Sequence, residues 1–341
     1  TNAEPYDGRP GSIQDGFNFQ GDKNSSKWST AVSEIPKALK TGLLDLRPQS
    51  HVVQITHDSS GLVDAVIYVD ANGDVQRQAA KVVCVAGNSI ESPRLLLNSA
   101  SDMFPNGLAN SSDQVGRNYM RHMTGSVYAR FEKEVNFYRG ETMAGFIGDE
   151  VINDPSRGFV GGYYMETLAV GPAFLYSFLD PGAWGADFAK MMDGYSNIAG
   201  MWLVGEDMPQ STNRVTLSDS IKDQYGMPAP NVHFDDHAND IAMREYAYGK
   251  AEALYNSVGA VQIFRTPPYP STHNLGTNRM SAKPEDGVVN KWGQTHDIKN
   301  LFVSDGSIMT TGAAANPTLT ITALAIRQGE YLAGELKKGN L

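Results

Sequence analysis

Residues 81–97 read KVVCVAGNSIESPRLLL, and their reading decides the fold class. Val82, Val83 and Val85 make a short apolar run of the kind that buried strands show. Gly87 ends it, and residues 91–99 follow as a helix opening with Pro93. A strand, a glycine and a helix in that order form the switch of an α/β sheet, where ligands sit at strand ends. Cys84 lies inside the apolar run and reads as a packing residue with an unreactive thiol. It is the chain's single cysteine. That count excludes an internal disulfide, a zinc ribbon, a C-x-x-C-H haem site and a cysteine-ligated iron–sulfur cluster within the chain.

Upstream, residues 1–23 are Gly- and Asp-rich loop, and residues 28–38 suit a helix leading into the Thr41-Gly42 break. Short β-like runs follow at 44–48, 51–55 and 65–69, with a turn at Ala71-Asn72-Gly73-Asp74. Downstream, residues 126–205 hold 15 of the chain's 32 aromatic residues, among them Tyr163, Tyr164, Phe174, Tyr176, Phe178, Trp184 and Trp202. With its glycine-broken runs this section reads as an antiparallel sheet, and core packing is the ordinary use of such rings. Residues 240–257 form a helix that stops at Gly259.

The 341 residues suggest two domains, and the net charge of −10 argues against a nucleic-acid surface or charge-driven binding to anionic membranes. No apolar stretch approaches the roughly 18 residues of a spanning helix. The first residues lack a signal-peptide pattern and read as the middle of something. The compartment, periplasm or cytoplasm, is not written in the sequence.

No two glycines stand two positions apart. G-x-G-x-x-G and G-x-S-x-G are therefore absent, and so is a Walker A loop. His233 and His237 have an H-x-x-x-H spacing, but the segment looks extended, with Asp236 or Asn239 as the next helix cap. His51, His57 and His296 read as structural or exposed. His273 sits in a polar loop with Gly276, where a neutral imidazole serves either as a base or as a structural hydrogen-bonding group. Further on, Gly312-Ala-Ala-Ala-Asn316-Pro317-Thr318 brings a nearly bare backbone to a helix start. Asn316 is expected as N-cap and Pro317 at the first helical position, with Leu319, Thr322, Ala323 and Ile326 at helical spacing. Such a start is either a well-capped helix under a tight loop or a place where a flat or anionic group approaches the positive end of the dipole.

Taken together, these segments resemble the glucose–methanol–choline (GMC) family of flavoenzymes. The resemblance rests on His273-x-x-Gly276-Thr277-x-Arg279-Met280, on Asn300-Leu-Phe-Val-Ser-Asp305-Gly306-Ser307 and on Ala315-Asn316-Pro317-x-Leu319-Thr320. Gly87 to Leu96 resembles the family's second signature, and Val115-Gly116-Arg117-Asn118 its lid segment. Gly16-Phe-Asn-Phe-Gln-Gly21-Asp-Lys with Ser29-Thr30 is similar to a loop of the bacterial sugar and polyol dehydrogenase branch, although Asp15, Asn18 and Asp22 stand where that branch carries cysteines.

The resemblance implies FAD and oxidation of an alcohol by hydride transfer to it. His273 matches the catalytic base and Asn316 its His-or-Asn partner. Asp305 and Gly306 match phosphate and ribityl contacts, Val52 the residue whose backbone meets the adenine, and Gly87 the dinucleotide strand end. Asn118 belongs to the lid segment, and Pro317 and Thr318 would lie beside the flavin pyrimidine edge. The fold class implied is α/β plus α+β: a partial FAD-binding domain lacking its N-terminal βαβ, and an antiparallel-sheet substrate domain. The expected division is 1–125, 126–270, and 271–341 returning to the first part. The glycine turn is expected on an N-terminal segment or second chain completing the FAD site. The leading reading is an alcohol or sugar dehydrogenase with an external electron acceptor; its rivals are an O₂-using oxidase, a hydroxynitrile-lyase-type enzyme, and an inactive partner subunit.

Overall fold

The computed structural model describes residues 1–14, 21–139, 141, 143–171, 182–269 and 271–341. Residues 16–20 of the Gly16 loop, together with Phe174, Tyr176 and Phe178, lie outside them.

The chain opens with a short helix α1 (Glu34–Lys40) and an antiparallel three-stranded sheet, β1 (His51–His57), β2 (Val63–Val69) and β3 (Val75–Ala79), in that order. The β2–β3 turn falls at the expected Asn72-Gly73, with Gly73 at φ +86° and Asp70 accepting from Asn72 and Asp74. The expected strand at 44–48 does not form; Leu44 and Leu46 are exposed. Next, β4 (Val83–Val85) pairs in parallel with β12 (Leu301–Val303) and leads through Gly87 into α2 (Asn88–Asn98).

This helix begins three residues before the expected start. Asn88 Oδ1 accepts the N–H of Ile90 at 2.8 Å and so satisfies the first turn. Pro93 therefore falls inside the helix and leaves the Ser89 carbonyl without its intrahelical donor. The Thr277 hydroxyl supplies that bond at 2.7 Å, tying α2 to the loop that carries His273.

The aromatic section forms a five-stranded antiparallel sheet, in the order β11 (Gln262–Arg265), β5 (Met123–Arg130), β8 (Ile198–Gly205), β7 (Tyr163–Thr167), β6 (Phe146–Ile147). Alternation along the strands divides its two faces. Met123, Val127, Tyr163, Met165, Met201 and Leu203 pack against Met243, Ala247, Tyr248, Ala251 and Tyr255 of helix α4 (Ala238–Ser257). Cutting Met243 to alanine would cost about 2–5 kcal/mol here. The opposite face carries Tyr164, Glu166 and Trp202 and is available for a site. A short helix α3 (Gly185–Asp193) and a hairpin of β9 (Arg214–Lys222) with β10 (Pro228–His233) complete this half.

The last helix, α5 (Thr318–Lys337), packs on β12 through Ile321, Leu324 and Gln328, whose Nε2 donates to the Val303 carbonyl at 2.9 Å. Two of the residues at helical spacing point outward: Leu319 is 83 % and Ile326 61 % exposed. α5 is apolar on more than one side, and spacing alone does not say which side is covered. Cys84 is also exposed, since the β4 pattern buries only Val83 and Val85. Apolar neighbours still raise its thiol pKa.

Candidate active site

His273 and Asn316 reach the open face of the five-stranded sheet from two separate loops. Glu166 on β7 stands opposite Trp202 on β8, and Tyr164 opposite Val204, so these side chains share one face. The His273 ring lies against Trp202 with centroids 5.5 Å apart. Asn316 is held by the strand next door. Tyr164 Oη donates to Asn316 Oδ1 at 2.7 Å, and Asn316 Nδ2 donates to Glu166 Oε1 at 3.1 Å. Tyr164 Oη also lies 3.1 Å from Glu166 Oε1, and burial raises the Glu166 pKa against its bonds to Tyr164 and Asn316. The second N–H of Asn316 has no partner among the described residues.

The expected cap at Asn316 is therefore corrected. α5 starts at Thr318 with Pro317 in the N-cap position and no side-chain cap, because the Asn316 amide is engaged with Tyr164 and Glu166. Thr318, Leu319 and Thr320 are exposed, so orphan N–H groups and the positive end of a 20-residue helix stand open beside Asn316.

Sequence reasoning missed His122. It is 1 % exposed in a left-handed conformation, φ +63°. Its Nδ1 lies 3.0 Å from His273 Nδ1 and its Nε2 3.0 Å from the Gly312 carbonyl. A Cβ on Gly312 would come within 2.8 Å of His122 Cδ2, so the bare loop before Asn316 makes room for this imidazole. The one signal was a histidine four residues after Asn118 of the lid segment. Burial lowers both imidazoles, His273 to about 4 with His122 as the smaller cause, so both are neutral at pH 7. Behind them Asp207, 1 % exposed, accepts from the Arg121 N–H at 2.7 Å, and burial pushes its carboxyl up to about 7.

The remaining expected positions fall in two groups. Asp305 and Gly306 follow β12 at the carboxyl end of the parallel pair, as Gly87 does for β4. Asp305 Oδ2 accepts from the Asn88 N–H at 3.0 Å and from the Ser92 hydroxyl, and Oδ1 accepts from the Ser307 N–H at 2.8 Å. Asp305 thus locks the strand ends to α2. Ser89 Oγ donates to the Asn274 carbonyl at 2.7 Å and joins this group to the His273 loop. Val52 and Gly87 line a cleft of about 400 Å³ together with Cys84, Arg94 and Met227. Asn118 stands apart from these contacts: it is 6 % exposed, at φ +63°, and donates to Gln114 Oε1 at 3.1 Å. Gly276 passes so close that a Cβ there would meet the Asn118 carbonyl at 2.3 Å.

Among the described residues no cluster suits a metal. His237 caps α4 by accepting from the Asn239 N–H at 3.0 Å, while His233 reaches Asp235. His57 bonds Ser101, and His296 bonds Ser281. His51 stacks on Tyr225.

Two family models, both described as GMC oxidoreductase, match residues 6–124 and 209–325. The chain belongs to the GMC oxidoreductase family. It is 37 % identical to 2-methyl-1,2-propanediol dehydrogenase of Mycolicibacterium austroafricanum, over 97 % of this chain and 61 % of that protein. It is 29 % identical to the fructose dehydrogenase large subunit of Gluconobacter japonicus, over 99 % and 62 %. The chain thus spans about three-fifths of the length of these curated relatives. A solved structure of formate oxidase from Aspergillus oryzae RIB40 superimposes with a TM-score of 0.63 at 17 % identity, covering 85 % of this chain and 60 % of that one, a likeness of fold. FAD is the cofactor of this GMC family. The residues present fit it on three counts: an open, uncapped helix start beside Asn316, the parallel strand ends at Gly87 and Asp305, and the cleft at Val52.

Among the described residues no helix is long and apolar enough to cross a membrane.

Proposed function

We propose that this chain supplies the catalytic pair and most of the substrate wall of an FAD-dependent enzyme that oxidises an alcohol. The observation that carries the reading is the convergence of His273, against Trp202, and Asn316, held by Tyr164 and Glu166, on one sheet face at the open start of α5. When bound, FAD would supply the acceptor for the hydride of the carbinol carbon. His273, neutral at working pH, accepts the hydroxyl proton. Without that transfer, positive charge would build on carbon; a well-placed base contributes typically about 10²–10⁴-fold. Asn316 donates its unengaged N–H to the substrate oxygen and orients the carbon-bound hydrogen. Val52, Gly87, Asp305, Gly306, Pro317 and Thr318 hold the cofactor, with the α5 dipole favouring the charge gained on reduction. Asn118 shapes the lid through its carbonyl contact at Gly276.

The substrate proposed is a small alcohol or polyol, with electrons leaving to an external acceptor. A cavity of about 180 Å³ beside Trp202, lined by Ser126, Tyr128, Leu168, Val170, Thr266 and other residues, is mostly apolar and supports a compact substrate. The open β4 face supports the further proposal that an N-terminal segment, on the same or another polypeptide, carries the glycine turn and covers Cys84 and Val52. The proposed division is an FAD-binding part in 1–125 and 271–341, with 126–270 facing the substrate.

The test is a panel of sugars, polyols and aryl alcohols added to FAD-loaded full-length protein, with the flavin spectrum read under argon and under air. Bleaching under argon is expected; no bleaching with any alcohol would favour a lyase. Rapid reoxidation in air would make the enzyme an oxidase.

A further inference from the structure

We infer that His122 is a positioning residue that holds His273 in a single tautomer, Nδ1 protonated, so that Nε2 is the atom that takes the substrate proton. The inference rests on His273 being the base, and it deepens that reading.

The hydrogen bonds allow one assignment. The Gly312 carbonyl can only accept, so the His122 nitrogen 3.0 Å from it, Nε2, carries a hydrogen. His122 is 1 % exposed and buried away from water, which disfavours a second proton on the ring. Its Nδ1 is therefore a bare acceptor. The atom facing it at 3.0 Å, His273 Nδ1, must then be the donor, since two lone pairs at that distance would repel. A neutral His273 with hydrogen on Nδ1 has its lone pair on Nε2, and Nε2 has no partner among the described residues. The relay from Gly312 through His122 thus ends in an acceptor left for a hydroxyl.

The loop chemistry supports the same arrangement. His122 occupies a left-handed backbone position that a non-glycine residue adopts only at a cost. It is admitted only because residue 312 has no Cβ. The bare backbone before Asn316 therefore does two things: it leaves α5 open and it offers the carbonyl that sets the relay.

The test compares His122→Gln with His122→Met, two unbranched side chains of nearly equal size. In the glutamine the Gly312 carbonyl selects the amide N–H, which turns the amide oxygen toward His273. The methionine offers neither group. Full-length, FAD-loaded protein labelled with ¹⁵N-histidine reports the tautomer of His273, assigned by the signal lost in His273→Ala. The parent and His122→Gln are expected to show hydrogen on Nδ1 alone; His122→Met is expected to show hydrogen on Nε2 in a substantial fraction. Anaerobic flavin reduction, normalised to bound FAD, should slow about tenfold or more in His122→Met and stay within a few-fold in His122→Gln. A parent His273 protonated on Nε2, or a His122→Met protein with unchanged tautomer and rate, overturns the inference. A normal rate in His273→Ala overturns the base assignment instead and leaves the tautomer result standing.

Discussion

Tyr164 donates to Asn316 across 2.7 Å, from a strand to the residue before the Pro317 cap of a helix. With the Asn316 donation to Glu166, that bond sets which way the amide faces: oxygen to the phenol, nitrogen to the carboxyl group, which the phenol also approaches at 3.1 Å. A carboxamide free to rotate would offer a substrate oxygen either a donor or a repelling lone pair. Held this way, it offers a donor.

Tyr164→Phe should therefore act on catalysis more than on folding. The change leaves Asn316 Oδ1 unpartnered beside a buried ring and is expected to lower stability by about 1 kcal/mol. Flavin reduction should slow several-fold to about tenfold, the size expected of a mispositioned rather than a missing group. Rapid-mixing reduction and thermal melts of FAD-loaded protein measure the two. A large loss of stability with a normal rate per bound flavin would make the pair purely structural.

His273→Ala is expected to keep FAD bound and to slow anaerobic flavin reduction by at least about 100-fold. The pH profile follows from the same residue. Burial and the neighbouring His122 lower its pKa to about 4, so the base form persists across neutral pH and the rate should fall only as pH drops toward 4. Stability moves with the same sign. Between about 4 and the ordinary 6.5 the unfolded chain binds the extra proton, so this residue's contribution is lost as pH falls through that window. An acid limb near 6.5 would contradict the buried placement.

Much of this was legible in the sequence where chemistry is local. The strand–glycine–helix switch at Gly87 was readable because backbone turn and apolar run coincide there, and the 72–73 turn because Asn-Gly permits it. What sequence did not disclose was long-range choice. β3 was missed because Val75–Ala79, largely exposed, has no apolar alternation. Which side of α5 faces outward was not readable, because the helix is apolar on both sides and only Gln328 shows which one packs. Asn316 was read as a cap because Asn before Pro makes a good one; its true partners lie on strand β7. His122 pairs with His273 across two loops, and no spacing encodes that.

Asp207 offers a stability test of the ground behind the site. Its carboxyl is pushed from 3.8 up to about 7 by burial, with Asp240 adding repulsion and the N–H groups of Arg121 and His122 opposing. Over that window the folded chain binds the extra proton, so stability falls as pH rises from about 4 to about 7. Asp207→Asn removes the titration and is expected to flatten this dependence, gaining on the order of a few kcal/mol over the parent at pH 8 relative to pH 5. Denaturant melts at the two pH values measure it. Parallel curves for parent and variant would show that Asp207 is ionised throughout.

Cys84 tests how the open face of β4 is covered. It is exposed beside Val52 and Gly87, in the cleft proposed for the adenine end of FAD and the N-terminal segment. Its raised pKa keeps the thiolate fraction low at neutral pH, so reaction is slow even where access is free. In the 341-residue chain alone, a thiol reagent should label Cys84 without denaturant, more slowly than a small free thiol and faster as pH rises. In the FAD-loaded full-length protein the same residue should be protected. Adding denaturant to that protein should restore labelling, which separates cover from oxidation. Equal labelling rates in the two forms would place the cofactor and its completing segment elsewhere on the chain.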